Sequence, residues 1–141
     1  MADNERHIFR ILTAQHLLKN RLVQSFRDNG VRITPSHSAI LFMLESGSPL
    51  SLSDLSDVLH LDNSTVTGLV DRLEKAGFAR RDADPDDRRK WRISITPDGL
   101  EEIEKARRVI KSINERIEAG FTKAEMGVLH RILGSFEEKF S

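Results

Sequence analysis

The apolar residues between positions 4 and 28 recur at roughly helical spacing, which predicts a long amphipathic helix over that range. These residues are Ile8, Ile11, Leu12, Leu18, Leu22 and Phe26. Asn29-Gly30 is typical of a helix end, because glycine readily adopts the left-handed conformation found there. A second helix is predicted to begin at Thr34-Pro35, an N-cap residue followed by proline at the first helical position. Its apolar run through Leu44 covers the helix almost all round and predicts burial on most sides.

Two shorter helices are predicted next, with a tight turn between them. The first begins at Ser51 or Ser53, ends in His60-Leu61-Asp62, and is expected to face inward with Leu52, Leu55, Val58 and Leu59. The second is expected to be capped by Asn63 or Ser64. Its apolar residues have the i, i+3, i+4, i+7 spacing of a core helix, and they are Val66, Leu69, Val70 and Leu73. A helix, a tight turn and a second helix make a helix-turn-helix.

The opposite face of this second helix is small and hydroxyl-rich in its N-terminal half. It consists of Ser64, Thr67, Gly68, Asp71 and Lys75, flanked by Thr65 and Arg72. A helix face that meets only solvent more often carries glutamate and lysine, which have higher helix propensity. The composition of this face therefore indicates a contact surface.

After Ala76-Gly77 the apolar spacing changes from a helical period to a period of two. Residues 78 to 82 and 91 to 95 are predicted to form two short strands, the second with Trp91, Ile93 and Ile95 on one face. The strands flank the block DADPDDRRKW, which holds four aspartates, two arginines and a lysine in ten positions. A hairpin that follows a helix-turn-helix in this way is a wing, and the block is its tip.

Two more helices are predicted to complete the chain. Thr96-Pro97 repeats the cap and proline start, and an apolar seam in steps of three and four follows at Leu100, Ile103, Ala106, Ile110, Ile113 and Ile117. Thr122 and Glu125 form a capping-box pattern for the last helix, with Phe121 and Met126 placed as a hydrophobic staple. The apolar seam of that helix is Met126, Leu129, Leu133, Phe136 and Phe140.

This element order predicts a mainly α fold with a small β-hairpin wing, which is a winged helix-turn-helix with long N- and C-terminal helices. The 141 residues are expected to form a single domain. Within it, residues 33–96 would be the winged helix-turn-helix, and residues 1–32 and 97–141 a helical dimerisation region. A homodimer is expected because the seams of the last two helices exceed what one winged-helix core can cover, and exposed apolar stripes normally mark an interface.

Composition narrows the partners and the location. The chain has 22 basic and 22 acidic residues and a formal net charge of zero, so any polyanion must be met by local charge. Residues 50–95 contain eight basic and nine acidic side chains, which is not the basic footprint usual in DNA binders. Without cysteine, the chain has no thiol to bind zinc or to sense oxidants. Because no apolar run of about 18 residues and no leader pattern is found, a cytoplasmic location without membrane contact is expected.

The stretch LDNSTVTGLVDRLEKAGFARRDADPDDRRKWRISITPDG, residues 61 to 99, resembles the signature of the MarR (multiple antibiotic resistance regulator) family. STVTGLVDRLEKAG is similar to the family's recognition helix and DPDDRRKWRISIT to its wing, and the helix order resembles the family over essentially the whole chain. The resemblance implies a homodimeric transcription regulator, which we expect to be a repressor, that binds a pseudo-palindromic operator in double-stranded DNA. It also implies a small-molecule effector, often aromatic or phenolic, that binds between the dimerisation and DNA-binding regions and releases the DNA.

The residues expected to contact DNA from the recognition helix are Ser64, Thr65, Thr67, Gly68, Asp71 and Arg72. Hydroxyl groups can bond to phosphates or base edges, and the helix N-terminus adds backbone donors and a positive dipole. Gly68 leaves room for close approach to the groove, or else accommodates internal packing. Asp71 could accept a hydrogen bond from a cytosine amine, but pairing with Lys75 or another nearby base is at least as good an interpretation. Arg72 is expected to contact phosphate.

The residues expected to contact DNA from the wing are Asp87, Arg88, Arg89 and Arg92. An arginine at a hairpin tip can enter the narrow and negative minor groove. Arg89 is favoured over Arg88, because the Asp-x-Arg pattern of the family's wing falls on Asp87 and Arg89. Asp87 is expected to orient a guanidinium, since carboxylates that faced the duplex would repel its phosphates. Arg92 is expected on a phosphate.

Two other interpretations of the charged block are weaker. Asp82, Asp84 and Asp86 have the 1, 3, 5 spacing of an EF-hand, but Asp87 stands where the loop needs glycine and Ile93 where it needs glutamate. A solvated loop whose charges only keep it soluble is the commonest role for an isolated block of this kind. The position of the block directly after a hydroxyl-rich helix favours DNA instead.

No enzyme activity, cofactor or metal site is predicted. The sequence has no nucleophile elbow, no phosphate-binding loop, no dinucleotide fingerprint and no cysteine nucleophile. The five histidines are scattered, without a His-x-x-x-His pair, which leaves metal sensing by histidine and carboxylate across two chains as the minor alternative. His16 and His37 lie on helices expected to border the effector crevice, so they are candidate polar groups of a ligand pocket or else ordinary surface or core imidazoles. The alternative function is a winged-helix module for protein–protein assembly, which would bind an acidic protein surface.

Overall fold

The computed structural model describes all 141 residues and contains six α-helices and three short β-strands. The helices are α1 (Arg6–Asp28), α2 (Pro35–Leu44), α3 (Leu52–Leu59), α4 (Asn63–Lys75), α5 (Pro97–Glu118) and α6 (Lys123–Phe140), with a 3₁₀ turn at Asp3–Glu5 before α1. The strands are β1 (Leu50–Ser51), β2 (Ala79–Ala83) and β3 (Trp91–Ile95). The mainly α fold with a small hairpin wing is confirmed. The chain divides into two compact units, residues 1–109 and 110–141, and the division falls inside α5.

The helix boundaries follow local capping residues. Gly30 has a φ of +70° at the end of α1, the left-handed conformation that glycine adopts without strain. Thr34 caps α2, since its Oγ1 accepts the backbone N–H of His37 at 3.3 Å. Ser51 caps α3 in the same way, accepting the N–H of Asp54 at 3.0 Å. These short-range hydrogen bonds explain why the sequence alone predicts where the helices begin.

The helix-turn-helix differs from the prediction in two details. Val58, predicted to face inward, is 63% exposed, because Ser56 occupies the buried stripe of α3 beside Leu55. The N-cap of α4 is Asp62, and neither Asn63 nor Ser64. Asp62 lies in an extended conformation two residues after His60, the left-handed residue that ends α3, so the helix begins one residue earlier than predicted.

The strands form an antiparallel sheet in the order β1, β3, β2. β2 and β3 pair along their whole length, with Ala83 opposite Trp91 nearest the tip, which confirms the predicted hairpin. β1 was not predicted, and it pairs with β3 through Leu50 opposite Ile93. A strand of two residues shows no alternation in sequence, so only its tertiary pairing reveals it.

Residues 1–109 enclose an apolar core. Its largest buried side chains include Phe26, Ile40, Leu41, Leu44, Leu55, Leu73 and Ile93. α4 contributes Val66, Val70 and Leu73 to this core, and Leu69 is half-buried, so the predicted inner face of α4 is confirmed. Gly99 permits a close contact at the start of α5, because a Cβ there would lie 2.1 Å from the carbonyl oxygen of Phe78.

Residues 110–141 contain the end of α5 and all of α6. The predicted capping box of α6 is present, with the N–H of Glu125 donating to Thr122 Oγ1 at 3.1 Å and the N–H of Thr122 donating to Glu125 Oε2 at 2.8 Å. No residue of α6 is buried, although its apolar seam has regular helical spacing. The seam is therefore an open face within this chain. None of the six helices combines the length and apolar character needed to cross a bilayer.

Candidate nucleic-acid interface

The outer face of α4 is open to approach. Ser64, Thr65, Gly68 and Arg72 are exposed, and Thr67 is half-exposed. A Cβ built on Gly68 would meet no atom within 4 Å, so packing inside the chain does not require glycine at this position. The small, hydroxyl-rich face that the sequence indicates is therefore available to a partner.

The Asp62 carboxylate organises the first turn of α4. Its Oδ1 accepts the backbone N–H of Thr65 at 2.7 Å and the hydroxyl of Ser64 at 2.8 Å. These hydrogen bonds, led by the Thr65 N–H, lower the pKa of Asp62, so that it remains ionised. The carboxylate therefore neutralises part of the positive helix N-terminus that a phosphate would otherwise meet.

The hydroxyl groups of α4 already have internal acceptors. Ser64 donates to Asp62, and Thr67 Oγ1 donates to the carbonyl oxygen of Asn63 at 2.7 Å. Each hydroxyl still offers lone pairs to a base donor, but must rotate to donate to a phosphate oxygen. In this arrangement both hydroxyl groups are better suited to accept hydrogen bonds from base edges than to donate to the DNA phosphates.

A buried serine joins the two helices of the helix-turn-helix. Ser56 Oγ lies 2.7 Å from Asn63 Oδ1 and 2.9 Å from the carbonyl oxygen of Leu52. The sequence analysis missed this role, although Ser56 at a position of the buried stripe of α3 was a signal. The contact connects the first turn of α4 to α3 and so helps to orient the outer face of α4.

Asp84 organises the tip of the wing. Its Oδ1 accepts the N–H of Asp86 at 2.8 Å, and its Oδ2 lies 3.2 Å from Arg92 Nε. These contacts, led by the Asp86 N–H, hold the pKa of Asp84 below its ordinary value of 3.8. Across the loop, the Asp84 N–H donates to the carbonyl oxygen of Lys90 at 3.0 Å. Arg92, predicted on a phosphate, thus has one guanidinium edge held within the wing.

Asp87 and Arg89 form the pair that the sequence predicts. The Asp87 Oδ1 accepts the backbone N–H of Arg89 at 3.0 Å and lies 3.4 Å from its Nε. The Asp87 side chain is partly sheltered, whereas that of Arg89 is 92% exposed. The Nε edge of the guanidinium therefore contacts Asp87, and its outer edge is accessible to a partner. Arg88 is exposed beside it.

Asp71 pairs with Arg81 of β2 in preference to Lys75. An Nη2 of Arg81 contacts Asp71 Oδ1, and its Nε lies 3.7 Å from Glu74 Oε2. The sequence left two basic partners open for Asp71, Lys75 or another nearby residue, and the structure shows the latter. The role of Arg81 itself was missed, because the predicted strand carries arginine at two successive positions and only its pairing with β3 shows which of them faces inward.

Ion pairs occupy many of the charged side chains of the winged region. The acidic residues with a basic partner include Asp71, Glu74, Asp82, Asp84 and Asp87. None of these pairs involves Arg72 or Arg88, which are exposed on α4 and the wing tip. Because each pair also occupies an arginine, the pairs leave the net charge of the region unchanged, and the positive charge outside these pairs is local and includes Arg72 and Arg88.

The two candidate pocket histidines differ in environment. His37 is 7% exposed, its Nδ1 accepts the backbone N–H of Thr34 at 3.2 Å, and its buried Nε2 has no hydrogen-bond partner. Burial, followed by the charge of Arg72, lowers its pKa. His16 is exposed on α1, with Nε2 3.0 Å from Asn20 Nδ2. Neither histidine lines the cavities of about 450 and 430 Å³ that lie along α6 and α1. No cluster of three or more metal-binding side chains is found.

Comparison with known proteins gives a consistent result. Residues 33–91 match the model of the MarR family. The chain is 31% identical over 109 residues to YsmB of Bacillus subtilis, described as an uncharacterized HTH-type transcriptional regulator, and the alignment covers 74% of this chain and 72% of that protein. The first curated relatives are aligned over only 61%, 59% and 56% of their own length.

Solved structures of more distant proteins share the fold. Streptomyces coelicolor Sco3205, a MarR family transcriptional regulator in complex with DNA, superposes with a TM-score of 0.89 at 21% identity, over 100% of this chain and 90% of that one. Bordetella bronchiseptica BpsR, whose DNA binding is regulated by 6-hydroxynicotinic acid, gives a TM-score of 0.87 at 23% identity, over 97% and 96% of the two chains. At these identities the likeness establishes the fold.

Proposed function

This chain belongs to the MarR family, and from that premise we propose that it is a homodimeric transcription repressor that binds double-stranded DNA through α4 and the hairpin wing. The observation that carries the proposal is the pair of Asp87 and Arg89 at the wing tip. A carboxylate holds the inner edge of a guanidinium whose outer edge is open, directly beyond a helix with a small polar outer face.

In this proposal the wing places Arg89 in the minor groove. That groove is narrow and negative over A·T-rich steps, so a planar cation held in one orientation is favoured there by electrostatic attraction and by its steric fit. Asp87 limits the directions that the guanidinium can take, and so reduces the entropy lost on binding. Arg88 and the outer part of Arg92 contact neighbouring phosphates.

The outer face of α4 enters the major groove. Ser64, Thr65 and Thr67 present hydroxyl groups to base edges, and Gly68 allows the helix backbone to approach the groove floor. Arg72 contacts a phosphate and so fixes the register of the helix. Asp71 borders this surface, with one carboxylate oxygen already paired to Arg81.

The dimer forms through the apolar faces of the terminal helices. On α1 the exposed apolar residues are Ile8, Phe9, Ile11, Leu12, Leu17 and Leu18, and on α6 they are Val128, Leu129, Ile132, Leu133 and Phe140. Patches of this kind are rarely left in contact with water by a monomer. Two-fold symmetry then requires a pseudo-palindromic operator with half-sites about one helical turn apart.

A small aromatic or phenolic ligand is the proposed effector. The support is the regulation of the DNA binding of BpsR by 6-hydroxynicotinic acid. A ligand that binds preferentially to a dimer with mismatched recognition helices shifts the population away from the DNA-bound form. His16 and His37 are the proposed polar groups of the pocket, and the Nε2 of His37, which is buried without a hydrogen-bond partner, would donate to a ligand that reaches it.

Fluorescence anisotropy with DNA fragments from upstream of the chain's own reading frame tests the function. Sequence-specific binding at physiological salt is expected, and Arg89→Ala should weaken it by about 1 to 3 kcal/mol. Arg88→Ala is the matched control and should have a smaller effect. The absence of binding to any such fragment at low salt would favour the protein–protein assembly module instead.

Asp87→Ala separates an oriented arginine from a merely charged loop. If Asp87 orients Arg89, its removal should weaken specific binding even though it removes a negative charge. A purely electrostatic tip would bind more tightly after the same change, most clearly at low salt. Measuring the affinity at two salt concentrations gives the sign of the effect, and tighter binding would refute the role of Asp87.

A further inference from the structure

Arg81 is a charged residue on the inward face of the wing. In the β2–β3 ladder it lies opposite Ile93, which is buried, while its neighbour Arg80 lies opposite Ser94 on the other face. Its side chain is only 18% exposed. A strand position facing the core normally carries an apolar residue, so an arginine there requires partners that compensate for its loss of hydration.

The partners of Arg81 come from two elements. Its Nη2 contacts Asp71 on α4, and its Nε lies 3.7 Å from Glu74, one turn further along the same helix. Its guanidinium also stacks over the ring of Trp91 on β3, 5.7 Å from the ring centroid. Planar geometry lets a guanidinium bind carboxylates with its edge and an aromatic ring with its face, which a lysine cannot do.

We propose that Arg81 is a positioning residue that fixes the wing relative to α4, and that Asp71 serves to hold Arg81 in place. The consequence for DNA binding rests on the proposed function. The tip of the wing extends beyond the sheet, and a two-stranded ribbon is flexible without packing on one face. By joining β2, β3 and α4 between the middle of the ribbon and its tip, Arg81 sets the angle at which Arg89 meets the groove that lies beside α4.

The arrangement changes the interpretation of Asp71. A cytosine amine needs only one acceptor oxygen, but the Oδ1 of Asp71 contacts Arg81, so the wing arginine holds this carboxylate. In the proposal, the aspartate therefore acts on DNA through the orientation of the wing. Loss of either partner should therefore have the same effect on binding.

Trp91 allows a test without DNA, because it is the only tryptophan of the chain. Acrylamide quenching of its fluorescence should rise in Arg81→Gln, which removes the stacked guanidinium. Quenching should also rise in Asp71→Asn, since a released Arg81 no longer shields the ring steadily. Arg80→Gln is the matched control: it removes the adjacent arginine, which pairs with Asp82, and should leave quenching unchanged. Unchanged quenching in Asp71→Asn would overturn the proposal.

A second test uses DNA. Asp71→Asn and Arg81→Gln should each lower operator affinity roughly tenfold, and the double variant should be no weaker than either one, as expected for a coupled pair. Arg81→Lys should restore only part of the affinity. The preference for each operator base should stay as in the wild type. A change in preference at one base pair in Asp71→Asn alone would instead identify Asp71 as a base contact and overturn the proposal.

The two proposals fail in different ways. If the wild-type chain binds no DNA, the proposed function fails, while the quenching results still test the link between Arg81 and α4. If the wild type binds DNA and neither variant weakens binding, the positioning role fails alone. Thermal unfolding of each variant controls for loss of fold. Should Arg81→Gln fail to fold, Asp71→Asn, which changes a half-exposed carboxylate, decides the result.

Discussion

The winged helix-turn-helix and the last helix use apolar residues in opposite ways. Leu55 of α3 is completely buried, whereas Leu133 of α6 is 49% exposed, although both lie in regular helical patterns. The winged region also pairs its charges internally, as Asp71 does with Arg81 and Asp84 with Arg92. The difference teaches that periodicity identifies the apolar face of a helix without identifying what covers it.

This contrast separates the two tasks of the molecule. The core enclosed by residues 1–109 can keep α4 and the wing in a fixed arrangement without a partner. The open faces of α1 and α6 depend on a second copy for their burial. Stability of the first region should therefore be independent of protein concentration, and stability of the second should increase with it.

The largest effect is expected when a charge is placed on the open face of α6. Ile132→Asp should dissociate the dimer, because the carboxylate would be buried without a partner and two-fold symmetry introduces it twice. The expected cost is about 4 kcal/mol or more, roughly a thousandfold in the dimer dissociation constant. Sedimentation velocity at several concentrations measures it.

His130→Asp is the matched control for this experiment. His130 lies two residues away, on nearly the opposite side of α6, so the same carboxylate should leave the dimer intact. A wild-type chain that sediments as a monomer at micromolar concentration would contradict the proposed dimer.

Matched leucine truncations should sharpen the comparison of the two regions. Leu55→Ala should lower the free energy of unfolding by about 3 kcal/mol, because it leaves a cavity in a closed core. Leu133→Ala should have a much smaller effect on the isolated chain and should act on dimerisation. Urea denaturation at two protein concentrations distinguishes the two costs. Equal, concentration-independent losses in both variants would show that the α6 face is not an interface.

Two glycine substitutions compare a position packed against its neighbours, Gly99, with one that has open space around it, Gly68. Gly99→Ala should destabilise the chain by about 1 to 3 kcal/mol, because the new methyl group would overlap the carbonyl oxygen of Phe78. Gly68→Ala should stabilise it by up to about 1 kcal/mol, since alanine favours the helix and meets no neighbour. If α4 approaches the groove closely, Gly68→Ala should also weaken DNA binding. Thermal unfolding and anisotropy measure the two effects separately.

The smallest effect concerns the pH dependence of His37. Its folded pKa lies below the ordinary value of 6.5, chiefly because of burial, so the unfolded chain takes up the proton first. Stability should be constant above about pH 7 and fall as the pH drops through the unfolded pKa, by at most roughly 1.4 kcal/mol per pH unit. His37→Gln keeps an acceptor for Thr34 but cannot titrate. Urea denaturation at several pH values should show this component only in the wild type, and identical profiles would contradict it.

Much of the fold and part of the site could be predicted before any coordinates were considered. Thr34, Thr122 and Asn29-Gly30 mark helix ends because caps act within one turn of the chain. The inner face of α4 follows from spacing alone. The pair of Asp87 and Arg89 was predicted from the resemblance of the wing to the family's Asp-x-Arg pattern, and its two members are only two residues apart.

The remaining features depend on contacts between elements. β1 becomes a strand only where Leu50 reaches Ile93, and Ser56 is a buried helix contact only because α4 places Asn63 beside it. Val58 is exposed because the i, i+3, i+4, i+7 spacing from Leu52 places Ser56 and Leu59 on the buried side of α3.

The sequence by itself determined the helices, the hairpin, their apolar faces and the location of the charged block, because capping, periodicity and turn formation act over a few residues. Only the tertiary structure decided which charges meet. From the sequence, Asp71 could pair with Lys75 on its own helix or with a basic residue on another element. The packing of the wing against α4 brings Arg81 into contact with it. Such choices depend on distances between elements, which local sequence patterns do not encode.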